Sequence, residues 1–179
     1  MWAVRNKIVQ ILTSKYRIED TAVEIFLDEH FISPSPTLEN TKLRGDLLGL
    51  FTFLKSRGVK IAICTTDDEK PTRQLLELFK LSPFIDVLLT GDMKQVAAKP
   101  SKEQIDYICN KVGVNSPEKV IMVGDTATDL LMGRNGGVKL NIGMLDGASS
   151  IEDLRHYADV LVDDLDKLKT LLQVVLRAD

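Results

Sequence analysis

The sequence predicts an α/β protein built on a parallel sheet, and three observations carry that expectation. From Leu43 onward, helical stretches alternate with short apolar runs, the pattern of strands returned by crossover helices. The runs are continuous rather than alternating, as in Val120-Ile-Met-Val123, which suits strands covered on both faces. Two of them end directly in chemically useful residues, Thr65-Thr66 and Gly124-Asp125, at the strand ends where open α/β sheets gather ligands.

The elements follow in order. Val4, Ile8, Ile11 and Leu12, then Ala22, Ile25, Phe26 and Phe31, recur at helical spacing and predict two helices within residues 2–32. Ser33-Pro-Ser-Pro-Thr37 breaks that pattern and divides a helical segment, residues 1–42, from an α/β core, residues 43–179. A helix over 46–57 ends at Gly58, a residue type that closes helices, and a strand over 60–65 follows at once. Pro71 to Phe79 is the next helix and 85–90 the next strand. A helix over 102–112 stops at Gly113, and the strand 120–123 leads into the Gly-Asp turn. A short helix over 130–135 runs to Gly136, and strands at 138–142 and 160–162 complete the sheet. Leu165, Leu168, Leu171, Leu172, Val175 and Leu176 then form one apolar face of a last helix.

The run Val120-Ile-Met-Val-Gly-Asp-Thr-Ala-Thr-Asp129 reads as a metal site. Asp125 is a hard oxygen ligand suited to Mg²⁺, and Asp129, four residues on, binds or orients the metal shell. The plainer alternative has Asp125 stabilising a turn and Asp129 complementing a helix dipole. Two further segments favour the metal. Lys60-Ile-Ala-Ile-Cys-Thr-Thr66 ends in hydroxyls, and Ala97-Ala-Lys-Pro-Ser101 sets Lys99 before a proline that can open the helix after it. A hydroxyl, an ammonium and a metal-binding carboxylate together make a site for a phosphoryl group, although Thr65 alone reads equally as a helix cap and Lys99 as a solvated lysine.

In order and spacing, Thr65, Lys99-Pro100 and Gly124-Asp125-Thr-Ala-Thr-Asp129 resemble the motifs of the haloacid dehalogenase superfamily, over roughly residues 43–165 and including Gly136-Gly-Val138. The likeness is to phosphoglycolate-phosphatase-like members, with Thr66 where these usually have Asn. It implies a Rossmann-like three-layer core with a small helical cap remnant, and a Mg²⁺-dependent phosphatase acting on a small phosphorylated metabolite. Thr65, Thr66 and Lys99 would bind the phosphate, Thr65 and Lys99 stabilising the transition state, and Asp125 and Asp129 would serve the metal.

One departure is large. The superfamily's first motif, Asp-x-Asp-x-Thr or Val, supplies a nucleophilic Asp and an acid-base Asp, and no such segment precedes Thr65. Asp20, Asp28 and Asp46 are the only aspartates in the first 60 residues, and none has an Asp two positions away. Asp164-Leu-Asp166 has an apolar lead-in but carries Leu168 where Thr or Val is expected, and it sits where the last strand ends. No nucleophile is identified. The strand that carries the missing motif runs mid-sheet in the superfamily, between the strands equivalent to 61–65 and 120–124, so its loss leaves two inner edges unpaired. Because the chain opens on Met1, a shortened gene product, an alternative start or an incomplete gene model is expected rather than a proteolytic fragment, and the chain is expected to be inactive alone. The alternative is a non-catalytic remnant that binds phosphate, metal or a partner.

Composition narrows the remainder. The charge of −3, from 23 basic and 26 acidic residues, offers no footprint for nucleic acid or an anionic membrane. No run is long enough for a signal peptide or a membrane span, and Cys64 and Cys109 read as buried thiols, so the cytoplasm is expected. His30 and His156 lack partners at ligand spacing, and there is no Gly-x-Ser-x-Gly elbow, Walker-type loop or Gly-x-Gly-x-x-Gly. A receiver domain is disfavoured, since Thr65 and Lys99 come before Asp125 rather than after it. The unpaired edges make self-association an expectation as well.

Overall fold

The computed structural model describes residues 17, 19, 21, 22 and 41–177. The two helices expected within 2–32 and the hinge at 33–37 lie outside the described residues, apart from those four positions.

Five parallel strands and six helices alternate through the rest. Helix α1 is Leu47–Ser56, opened by the Asp46 side chain, whose Oδ1 accepts from the Gly49 N–H at 2.8 Å. Strand β1 (Ala62–Cys64) is shorter than the apolar run that announces it. Helix α2 (Glu69–Leu78) starts two residues before Pro71, which is tolerated in a first turn because its missing N–H has no helical partner there. Strand β2 is Val87–Leu89, and helix α3 (Glu103–Val112) ends on Gly113 in the left-handed conformation, φ 73°. Strand β3 is Ile121–Gly124.

Helix α4 runs from Ala127 to Gly136, three residues earlier than expected, because Thr126 and Asp129 form a reciprocal capping box. Gly137 (φ 68°), rather than Gly136, takes the left-handed cap. The Val138 N–H is committed to the Gly133 carbonyl in closing that helix, so strand β4 is displaced to Leu140–Met144. A short helix α5 (Ile151–Leu154), not anticipated from the sequence, is opened by a second capping box, Ser150 with Asp153. Strand β5 (Val160–Val162) and helix α6 (Leu165–Val175) end the fold.

Three layers result. Leu50 of α1 and Leu168 and Leu172 of α6 cover one face of the sheet, against Ile142, Met144 and Val162. Ile105 and Cys109 of α3 and Met132 of α4 cover the other, against Val120, Met122 and Val138. Alternation along β3 sends Ile121 to the first layer and Met122 to the second, as the pleat requires.

Among the described residues the sheet is in two pieces, β1–β2 and β3–β4–β5, each parallel. The strands on either side of the expected vacancy, β1 and β3, are not hydrogen-bonded to each other. Exposure at that inner edge matches: Ala62 is exposed, and Val123 is 36% exposed in a strand whose other residues are half-buried. The pieces are joined by side chains. Cys64 of β1 packs into the same cluster as Met122 of β3, and Lys99 bonds to both halves.

Candidate functional site

Each half of the sheet delivers one part of the site at its carboxyl end. Thr65 follows β1, where its N–H donates to the Leu89 carbonyl at 2.9 Å and holds the turn against β2. Its hydroxyl accepts from the Asp67 N–H at 3.1 Å and lies 3.3 Å from Asp67 Oδ2, to which it donates. That local turn is the reason the strand stops at Cys64. Thr66 is exposed, and its carbonyl faces Gly91, where a Cβ would stand 2.1 Å from that oxygen.

Lys99 arrives on the loop between β2 and α3. Pro100 does not open the helix directly, since α3 begins at Glu103, and the Lys99–Pro100 peptide is cis. The ammonium donates to the Cys64 carbonyl at 2.7 Å and to Asp129 Oδ1 at 2.7 Å. The pair is almost enclosed, with 9% of the Lys99 side chain and 10% of the Asp129 side chain exposed. An ammonium carries three donors, and these contacts engage two of them. A third donor remains for an anion.

Asp129 is oriented by the cap of α4. Its Oδ2 accepts from the Thr126 hydroxyl at 2.6 Å and from the Thr126 N–H at 3.2 Å, while Oδ1 meets Lys99. Both oxygens of Asp129 thus accept hydrogen bonds, an arrangement that suits a carboxylate orienting Lys99 and the site around it. Asp125 is half-buried, and its Oδ2 accepts from the Ala148 N–H at 2.9 Å. Its carbonyl accepts from Ser149 at 3.2 Å, so the turn after β4 wraps it. A Cβ on Gly147 would lie 2.1 Å from the Asp125 Cβ, closer than real side chains approach, which places this glycine against the candidate ligand.

Among the described residues no group of three or more His, Cys, Asp or Glu is arranged to hold a metal ion. The donor set is nevertheless compatible with Mg²⁺, which is held through one or two carboxylates and completed by water and phosphate oxygens. Asp125 Oδ1, which accepts no hydrogen bond among the described residues, is the oxygen that would hold it. Asp164, the first carboxylate of the Asp164-Leu-Asp166 segment, is the N-cap of α6, its Oδ1 accepting from the Lys167 N–H at 2.8 Å.

Cys64 sits beneath the Lys99 contact. Burial raises its thiol pKa most, Lys99 offsets part of this and Asp129 adds to it, so the group stays protonated at neutral pH. Thr126, Gly147, Ala148 and Gln104, which touch or support the site, were missed from the sequence. Of these, Thr126 alone left a signal, the Thr-x-x-Asp spacing of a capping box.

The comparison that decides the lineage is a sequence profile of the haloacid dehalogenase-like hydrolases, which matches residues 4–137. The chain belongs to that family. A phosphoglycolate phosphatase from Aquifex aeolicus is 28% identical over 141 residues, 79% of this chain and 63% of its own length. Pyrophosphatase PpaX from Halalkalibacterium halodurans is 39% identical over 87 residues, 48% of this chain and 39% of its own. The chain thus spans less than two thirds of these relatives. A Bacteroides fragilis chain assigned to the haloacid dehalogenase-like hydrolases superposes with a TM-score of 0.73 at 24% identity, over 84% of this chain and 72% of that one. The α/β, Rossmann-like core expected of the family is the observed fold. Among the described residues, no helix is long and apolar enough to cross a membrane.

Proposed function

We propose that this chain carries the phosphate-holding half of a Mg²⁺-dependent phosphomonoester hydrolase acting on a small phosphorylated metabolite in the cytoplasm. The observation that carries the reading is the Lys99 ammonium, fixed by Cys64 O and Asp129 next to Thr65 with one donor to spare. An enclosed cation held in that way is prepared to bind a phosphoryl oxygen with little reorganisation. Thr65 contributes its hydroxyl, which requires Asp67 to release it, and the exposed Thr66 lines the outer side. Asp129 acts through Lys99, setting its position and balancing its charge in the absence of substrate.

Mg²⁺ held by Asp125 would supply further positive charge at the phosphate oxygens. The nucleophilic carboxylate of the family has no counterpart among Thr65, Lys99, Asp125 and Asp129, so binding without turnover is the expected behaviour of this chain. Free thiols at Cys64 and Cys109 support the reducing compartment. Self-association through the edges of β1 and β3 that have no strand partner among the described residues belongs to the same proposal, and a monodisperse monomer by light scattering would count against it.

The test is calorimetric titration of inorganic phosphate with and without Mg²⁺, beside hydrolysis of an aryl phosphate. Binding that disappears in Lys99→Met and weakens in Asp125→Asn supports the proposal. A folded chain with no affinity for phosphate overturns it. Hydrolysis by this chain that is lost in Asp125→Asn would show that a nucleophile outside the named set completes the site.

A further inference from the structure

Gln104 is one of four buried polar or charged side chains among the described residues, 8% exposed in the first turn of α3. An aliphatic side chain would fill such a position without needing partners, so a buried glutamine calls for a reason. Its two ends supply one. Oε1 accepts from the Cys64 thiol, with Sγ 2.8 Å away, and Nε2 donates to the Ala97 carbonyl at 2.9 Å. The amide orientation is fixed by chemistry, because a carbonyl oxygen can only accept and a protonated thiol facing an oxygen can only donate.

Those partners lie on different parts of the site. Cys64 ends β1, immediately before Thr65, and its own carbonyl is a Lys99 acceptor. Ala97 is two residues before Lys99, on the loop from the other side. Gln104 therefore closes a ring: Cys64 Sγ to Gln104, Gln104 to Ala97, along the loop to Lys99, and from Lys99 Nζ back to Cys64 O. The ring bridges a place where no sheet hydrogen bond joins the two halves, so the separation of Thr65 from Lys99 depends on it.

We propose that Gln104 is a positioning residue that sets the placement of the Lys99 ammonium relative to Thr65, and through it the affinity of the site for a phosphoryl oxygen. The inference rests on the phosphate-binding reading above. Glu103, which accepts from the Ala97 N–H at 3.2 Å, and Asn135, which donates to the Pro100 carbonyl at 2.9 Å, hold the same loop from outside. They fix its ends, whereas Gln104 fixes its distance from β1.

The experiment compares the full chain with Gln104→Met, which keeps the volume and removes both bonds, with Cys64→Ala, and with the two combined. Ile105→Val, a packing change at the next residue, controls for lost stability. The readouts are inorganic phosphate affinity, the NMR signal of the Lys99 ammonium and the thermal midpoint. Gln104→Met is expected to weaken phosphate binding about tenfold and to shift or broaden the Lys99 signal. The double variant should be no weaker than Gln104→Met alone, since both substitutions open one ring. Ile105→Val should lower the midpoint and leave both other readouts in place. Gln104→Met that loses thermal stability while keeping its phosphate affinity and Lys99 signal overturns the inference. If the unsubstituted chain binds no phosphate, the proposed function fails, and the Lys99 signal still decides the role of Gln104: displaced in Gln104→Met it supports positioning, unchanged it refutes it.

Discussion

Replacing Lys99 with methionine removes the cation that ties β1 to the start of α4. It strands a carboxylate that is 10% exposed and a Cys64 carbonyl that loses its 2.7 Å donor. Breaking one partner of a buried ion pair costs on the order of 3–5 kcal/mol. The remaining exposure of Asp129 lets some water reach it, and Thr126 still donates twice to Oδ2, so the lower end applies, about 3 kcal/mol. With a urea slope of about 2 kcal/mol per molar, that is a midpoint lowered by about 1.5 M. Against a typical domain stability of about 5–15 kcal/mol, the loss is a large share. The double variant Lys99→Met/Asp129→Asn should recover roughly 2 kcal/mol, because a neutral amide keeps the oxygen that accepts from Thr126 and leaves no bare charge. Equilibrium urea unfolding followed by circular dichroism measures both. A Lys99→Met midpoint within about 0.3 M of the parent chain, or a double variant no more stable than the single one, would refute the idea that this pair spans the divided sheet.

Other consequences follow from the same contacts. Gly147→Ala forces a methyl group into the Asp125 side chain, so the Mg²⁺-dependent part of phosphate binding should fall while binding without Mg²⁺ is retained; parallel titrations check this. Burial pushes the Asp86 carboxyl upward, but bonds from Lys55, the Ile61 N–H and Lys60 outweigh it and hold the folded pKa below its ordinary value. The stability it contributes is therefore present above about pH 4 and lost as pH falls through the lower folded value. Asp86→Asn should consequently destabilise the chain at about pH 7 and make little difference near pH 2, read from urea midpoints at the two values. Burial raises the thiol pKa of both Cys64 and Cys109, so a disulfide reagent at neutral pH should label them slowly in the native chain and rapidly once it is unfolded.

How far the sequence reaches can be judged from particular elements. Helix α3 was legible because its apolar positions, Ile105 and Cys109, recur at helical spacing and Gly113 marks its end. Strand β4 was misplaced by two residues, because the closing turn of α4 consumes the Val138 N–H, and no composition signal marks that commitment. Helix α5 was missed although Ser150 and Asp153 stand at capping-box spacing, since four residues are too few to show a period. The candidate residues Thr65, Lys99, Asp125 and Asp129 were legible from their residue types at strand ends. Their partners were not, because Gln104 and Gly147 are ordinary in sequence and become informative only beside Cys64 and Asp125.

The order of strands and helices, the carboxyl ends at which the chemistry collects and the lack of an Asp-x-Asp-x-Thr or Val segment before Thr65 were determined by the sequence alone, since each depends on local pattern. Tertiary structure decided which oxygens are engaged. It turned Asp129 towards Lys99 and linked the two pieces of sheet through an ammonium and an amide. Those outcomes depend on side chains 30 to 40 residues apart meeting within hydrogen-bond distance, a property of packing that no local pattern encodes.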